Sequence, residues 1–208
     1  MPSTVPEPRW RRLPEERPHQ ILQAALEVFG EHGLAGARLE DIAKRAGVSK
    51  GTIYLYFPNK EELFREMVRS TVVEAIVAGE RIPATDTARA QLTTFMRDYW
   101  GFVRSPAFAV IYRVVVSELH QFPDLVEFYV TEVMLRAQQL LARIIGRGIA
   151  SGEFRSVDPM VAARMLTSLF STNAMWCSKR NFFPHMQDRS DEQVFAELAD
   201  FYLSALRA

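Results

Sequence analysis

Residues 39–64 carry the stretch LEDIAKRAGVSKGTIYLYFPNKEELF, which decides the fold of this chain. Two short amphipathic segments flank the break AGVS at residues 46–49, and a third helix starts at Lys60. The glycine of the break can adopt the left-handed backbone of a tight reversal, and the serine can cap the next helix. This spacing is typical of a helix-turn-helix, whose second helix lies in the DNA major groove.

The helical pattern continues on both sides of this stretch. Upstream, Ile21, Ala25 and Phe29 lie on one face of a helix that Pro18 can begin and Gly33 can end. Downstream, the chain shows helical periodicity, with no strand alternation and no repeat. We therefore predict an all-α fold of about nine helices. Its parts are a flexible basic arm over residues 1–17, a three-helix DNA-binding domain over 18–64 and a larger helical body over 65–208. The fourth helix is predicted to bridge the last two parts, with a boundary near Glu80–Ala84.

Charge is balanced over the whole chain but not within the predicted module. The chain has 25 Lys and Arg residues against 25 Asp and Glu residues, so its net charge is zero. Phosphate contact depends on a local face rather than on the total. Between Arg38 and Lys60, five basic residues stand against two acidic ones, which leaves a local surplus of +3.

Composition also excludes several classes of protein. No apolar run approaches the ~18 residues that a membrane span needs, and the first residues do not form a secretory signal. The single cysteine, Cys177, rules out an internal disulfide and a cysteine-based metal cluster. No His, Asp and Glu residues have the spacing of metal ligands. We expect a cytoplasmic protein with no metal, cofactor or membrane partner.

The N-terminal turn of the second helix of the module is the end that meets DNA. Small hydroxyl donors and one ammonium there suit phosphate oxygens or base edges. Gly51 allows a close approach to a backbone, and a tyrosine hydroxyl can reach a phosphate while its ring packs. The candidate DNA-binding residues from this reasoning are Ser49, Lys50, Gly51, Thr52, Tyr54 and Tyr56.

The sequence of this module resembles the DNA-binding part of the TetR family of bacterial transcriptional repressors. The matching positions are Asp41-Ile42-Ala43, the run from Ala46 to Thr52, Tyr54, Tyr56-Phe57 and the run from Asn59 to Leu63. The resemblance implies a three-helix head on a helical body that binds a small effector and dimerises. It also implies phosphate contacts by Ser49, Lys50, Tyr56 and Lys60, and base contacts by Thr52 and Tyr54. Arg38 departs from the family's usual capping threonine, so it leaves the second helix uncapped or reaches DNA itself.

The body is rich in aromatic and methionine side chains, most of which we expect in its core. The others could line an apolar cavity with a few polar groups. Asn173 interrupts an otherwise apolar run, and His120 and Gln138 are further polar candidates. The candidate ligand-binding residues are Met96, Tyr99, Trp100, Tyr112, Phe128, Met134, Asn173 and Trp176.

The last two helices, over residues 158–179 and 190–207, are the predicted dimer interface, because the first of them is apolar on more than one face. The sequence thus favours a ligand-responsive transcriptional repressor that binds a near-palindromic, double-stranded operator as a homodimer and is released by a small hydrophobic effector. The alternative is a helical-bundle carrier or an enzyme without DNA binding. We expect no enzyme, since the sequence has no nucleophile–base arrangement, phosphate loop or paired inward carboxylates.

Overall fold

The computed structural model describes residues 16–80 and 87–208. Most of the predicted basic arm therefore lies outside the described residues. The chain divides into two compact units, the first ending at Met67 and the second running from Val68 to Ala208. The functional limits 18–64 and 65–208 stay a prediction, because compactness alone does not assign a function to either unit.

The first unit is a small helical bundle. Its helices are α1 (Glu16–Gly36), α2 (Leu39–Arg45), α3 (Lys50–Tyr56) and α4 (Lys60–Val68). Ile21, Ile42 and Ile53 are fully buried between them, and the rings of Phe29 and Phe64 meet edge to face with centroids 6.1 Å apart. The run of α1 is interrupted at Gly33, which has φ 71° and ψ 178°. The packed interior holds α2 and α3 in a fixed mutual orientation.

The turn between α2 and α3 has the predicted local chemistry. Gly47 adopts φ +65°, in the region that side chains rarely occupy. Ser49 Oγ accepts a hydrogen bond from the Thr52 backbone N–H at 3.0 Å and so caps α3. Arg38 precedes α2 with extended backbone and no capping hydrogen bond from its side chain. The predicted serine cap is confirmed, and α2 has no side-chain cap at Arg38.

The second unit is also helical. Its helices are α5 (Glu74–Glu80), α6 (Ala88–Val103), α7 (Pro106–Ser117), α8 (Pro123–Tyr129), α9 (Arg136–Ala150), α10 (Pro159–Cys177) and α11 (Asp191–Ala205). A π-helical segment, Arg69–Val73, joins α4 to α5, and a second one, Val130–Leu135, joins α8 to α9. The predicted all-α fold is confirmed, since the described residues show no strand and only an isolated bridge between Phe154 and Arg207.

Helix α10 is central to the core of the second unit. Leu166 and Phe170 are fully buried, and the Phe170 ring meets the Trp100 and Phe195 rings edge to face. Asp158 caps α10, and a reciprocal capping box between Ser190 and Gln193 begins α11. Within the described ranges, no helix combines the length and apolar character that a bilayer crossing requires.

Candidate functional site

Helix α3 presents most of the predicted DNA-binding residues on its exposed side. Ile53 is its one buried residue and holds the helix against the rest of the first unit, which ends at Met67 and which we call the head. The side chain of Lys50 is 67% exposed, and Tyr54 and Tyr56 are 44% and 38% exposed. The hydroxyls of Ser49 and Thr52 lie 2.8 Å apart at the N-terminal turn. The head therefore gathers donors, one ammonium and phenol hydroxyls where a helix-turn-helix meets the major groove.

An acidic residue lies among these groups. Glu40 Oε1 is 2.7 Å from Lys50 Nζ and accepts a hydrogen bond from the Tyr54 hydroxyl at 3.3 Å. The Lys50 ammonium holds the pKa of the Glu40 carboxyl below its usual value, and the same carboxylate raises the pKa of Lys50. Two predicted DNA contacts thus share one carboxylate in the free protein.

Lys60 has an internal role in this structure. Its ammonium donates to the backbone carbonyls of Ala35 at 2.7 Å and Ala37 at 3.2 Å, and so holds the connection between α1 and α2. An ammonium has three N–H donors, which leaves one for another acceptor. The resemblance implied a phosphate contact at this position. The pattern of charges gave no sign of the carbonyl contacts.

Arg45 is one of the five basic residues counted in the local surplus, and its charge is paired within the first unit. The Arg45 guanidinium forms two hydrogen bonds of 2.7 Å with Glu31 and a third of 3.2 Å with Glu27, both on α1. These carboxylates raise its pKa further. The carboxylates of α1 compensate the charge of Arg45. The net positive charge near α2 is therefore smaller than the surplus counted from the sequence.

Two residues of α3 lack an evident role within the head. A Cβ built at Gly51 would lie 3.8 Å from Ser49 Oγ, an ordinary contact, so the space within the head does not require glycine there. Leu55 is 85% exposed and lies one turn beyond Gly51 and Thr52 on the same side of the helix. Sequence reasoning missed Leu55, although an apolar residue on the outward face of α3 was a detectable signal.

The second unit contains a cavity of about 700 Å³. Its walls come from α5 to α10 and from both π-helical segments. Most of its surface is apolar. Its apolar lining includes Val72, Ala75, Ile76, Phe95, Phe102, Phe108, Val115, Val133, Met134, Ala137 and Leu140. The volume and lining suit a small apolar molecule.

Three phenol groups are among the polar groups that line this cavity. The Tyr99 hydroxyl lies 2.7 Å from Ser171 Oγ, and burial raises the pKa of Tyr99 to about 12. Burial also raises the pKa of Tyr129. Tyr112 adds a third phenol, and Asp98 is the one charged residue among the described lining residues. The cavity can therefore offer neutral hydrogen bonds but no cation from its described walls.

Only some of the predicted ligand-binding residues line the cavity. Tyr99, Tyr112, Met134 and the polar candidate Gln138 line the cavity. The other residues named from the sequence, Met96, Trp100, Phe128, Asn173 and Trp176, do not. Helical periodicity shows that a side chain points inward, but it does not show whether the space there is filled.

Each residue outside the cavity has another environment. Met96 and Trp100 belong to the packed core, and the Phe128 ring lies under the Arg69 guanidinium at 5.1 Å. Asn173 donates to the Leu169 carbonyl at 2.8 Å, in a shallow surface groove of α10. Trp176 is 42% exposed and contacts Phe183. His120, a further polar candidate from the sequence, lies in a short 3-10 turn, is exposed and does not line the cavity.

Two family models cover most of the chain. The model described as bacterial regulatory proteins of the tetR family matches residues 21–67. The model described as the C-terminal domain of AefR-like transcriptional repressors matches residues 90–208, more than half of the chain. The chain belongs to the TetR family. The head and the cavity-bearing unit correspond to these two matches.

Named relatives agree with this assignment. The fatty acid metabolism regulator protein of Bacillus subtilis is 30% identical over 74% of this chain and 80% of its own length. The transcriptional repressor KstR2 of Mycolicibacterium smegmatis is 28% identical over 82% of each chain. The crystal structure of the regulator FadR from Bacillus subtilis, in complex with stearoyl-CoA, has a TM-score of 0.68 at 24% identity and covers 91% of this chain and 99% of that one. This TetR-family protein is a ligand-responsive transcriptional regulator that binds DNA through its helix-turn-helix.

We expect Lys60→Met to lower the free energy of unfolding by about 1–2 kcal/mol, because two backbone carbonyls lose a charged donor. Lys44→Met removes the same charge at an exposed position of α2 and should change it by less than ~0.5 kcal/mol. Urea unfolding followed by circular dichroism measures both, and hydrogen exchange at the end of α1 locates the effect. Equal stability of the two variants would contradict the internal role of Lys60.

Proposed function

We propose that this regulator is a repressor that binds a near-palindromic operator as a homodimer and is released by an elongated apolar effector of the acyl type. The observation that supports this best is the apolar cavity of about 700 Å³ in the unit that follows the DNA-binding head. Ligand pockets of this size bury most of a small molecule and have few polar groups.

The proposed DNA contacts lie on and beside α3. Lys50, Tyr56 and the capped N-terminal turn contact phosphates, while Thr52 and Tyr54 contact base edges. Arg38 is exposed ahead of α2, and its length lets it reach DNA. Lys60 donates its third N–H to a phosphate while it holds the α1–α2 connection. The full proposed set is Arg38, Ser49, Lys50, Gly51, Thr52, Tyr54, Tyr56 and Lys60.

The proposed homodimer forms through α10 and α11. Besides its buried face, α10 has a second apolar stripe made by Met165, Leu169 and Trp176, which are spaced for one side of a helix. Met165 is 60% exposed, and Phe201 on α11 is 68% exposed. Large exposed apolar groups on adjacent helices favour a subunit interface. A two-fold dimer can place two recognition helices about 34–36 Å apart, in successive major grooves.

The cavity and the relatives together support the choice of effector. One relative at 30% identity is named a fatty acid metabolism regulator, and a protein of the same fold was crystallised with stearoyl-CoA. The described walls are apolar and their one charged residue is Asp98, so an acidic head group would stay outside the cavity. We propose that the acyl chain fills the cavity and that its carbonyl end meets the phenols of Tyr99, Tyr112 or Tyr129.

The chain offers a direct route from the effector to the head. The helical run that begins at Lys60 continues through Arg69–Val73 to Glu80, and Val72, Ala75 and Ile76 on it line the cavity. A ligand that favours one arrangement of this run changes the arrangement preferred by the head. Such coupling is typically worth about 1–3 kcal/mol.

The dimer can be tested with charged substitutions. We expect the wild-type protein to sediment as a dimer at micromolar concentration, and Met165→Glu and Phe201→Glu to sediment as monomers, because each buries a charge in the proposed interface. Leu55→Glu places the same charge on an exposed leucine of the first unit and should stay dimeric. A monomeric wild-type protein would contradict the proposed assembly.

The effector site can be tested by thermal unfolding with stearoyl-CoA. At about 100 times its Kd, a ligand stabilises the native state by about 2.7 kcal/mol. For a chain of this size, that corresponds to a rise in Tm of about 5–10 °C. Ala137→Phe fills the cavity and should abolish the rise, whereas Gln139→Phe, on the exposed side of α9, should keep it. Coenzyme A without an acyl chain should give no rise. An equal response of the two variants would place the ligand elsewhere.

A further inference from the structure

Glu40 is an acidic side chain on the surface that should face DNA phosphates. It belongs to the first turn of α2, and one of its carboxylate oxygens contacts both Lys50 and Tyr54. Its side chain is 44% exposed, and both of its partners are exposed as well. The Lys50 ammonium also lies 5.9 Å from the centroid of the Tyr54 ring. The three side chains form a polar cluster at the N-terminal half of α3, which we call the Glu40 cluster.

A carboxylate in this position opposes the non-specific part of DNA binding. Affinity for random duplex comes from cations that replace condensed counterions along the phosphates. Within the Glu40 cluster, the carboxylate neutralises the charge of Lys50, so this ammonium is not free to replace counterions. Binding to random DNA must therefore either break the Lys50–Glu40 pair, which leaves the carboxylate uncompensated near the duplex, or proceed without a phosphate contact from Lys50.

Base edges differ in what they offer to a carboxylate. In the major groove, cytosine presents the N4 amino group as a donor, and Glu accepts from it. Guanine and thymine present acceptors at the corresponding place, and adenine presents its N6 donor beside the N7 acceptor, which opposes the second oxygen of a carboxylate. An operator with cytosine within reach of Glu40 would compensate the carboxylate and release Lys50 to a phosphate.

We propose that Glu40 is a specificity-determining residue of the DNA interface, which weakens binding to random duplex through Lys50 and favours cytosine at one position of each half-site. The proposal concerns only the DNA-binding head. It does not depend on the identity of the effector or on the mode of release.

The test compares Glu40→Gln with Asp41→Asn. Asp41 is the next residue in the same first turn of α2, it is also exposed, and its substitution removes the same charge. The two probes are a mixed-sequence 30-base-pair duplex and a duplex that the wild-type protein selects from a randomised library. Fluorescence anisotropy at several salt concentrations gives the affinity and its salt slope, and thermal unfolding checks that each variant is folded.

We expect Glu40→Gln to tighten binding to the mixed-sequence duplex about five- to tenfold at about 0.1 M salt and to steepen the salt slope by about one, as for one additional released counterion. Affinity for the selected duplex should change by less than about threefold. Repeating the selection with Glu40→Gln should lose the cytosine preference, because a glutamine amide also matches adenine. Asp41→Asn should change the two affinities by the same small factor.

A double-mutant cycle tests whether Glu40 acts through Lys50. In the Lys50→Gln background, Glu40→Gln should tighten binding to the mixed-sequence duplex by less than about twofold and leave the salt slope unchanged. The proposal is overturned if Glu40→Gln behaves like Asp41→Asn on both duplexes. It is equally overturned if Glu40→Gln weakens binding to both, since Glu40 would then only hold Lys50 and Tyr54 in place for any DNA.

Discussion

The burial of Ile53 is the contact on which DNA recognition by this protein depends. Helix α3 has seven residues and buries only this side chain, so packing at this point sets which side of the helix faces outward. Lys50, Thr52 and Tyr54 are presented as a consequence of that packing. Since α3 is too short to be stable alone, the helix needs both the serine cap and the core of the head.

The second unit combines a packed core with an open cavity. A tightly packed core resists insertion of a ligand, whereas this unit keeps an apolar cavity of about 700 Å³ beside a fully packed cluster around α10. Both π-helical segments contribute to the walls of the cavity, through Val72, Val133 and Met134. Such segments place side chains out of the usual helical register and occur frequently at functional sites. Packing therefore supports the unit, while the cavity leaves a place for the effector.

Sequence and structure agree where local rules decide the outcome. The turn glycine, the serine cap and the helical periodicity follow from backbone preferences, so the all-α fold and the helix-turn-helix could be predicted. The partners of Lys60, Arg45 and Lys50 could not, because they lie on other helices or in the α1–α2 connection, and their contacts depend on how the helices pack. The cavity was predicted only in part for the same reason: Tyr99 lines it, whereas Trp100, its neighbour in sequence, belongs to the core.

We propose that an apolar molecule in the second unit lowers the affinity of the head for DNA. The most direct measurement is the Kd of the wild-type protein for its selected duplex, by fluorescence anisotropy with and without saturating stearoyl-CoA. We expect the Kd for DNA to be about 5–150 times higher with the ligand, and the affinity for the ligand to fall by the same factor when DNA is bound. An unchanged Kd for DNA while stearoyl-CoA occupies the cavity would contradict it.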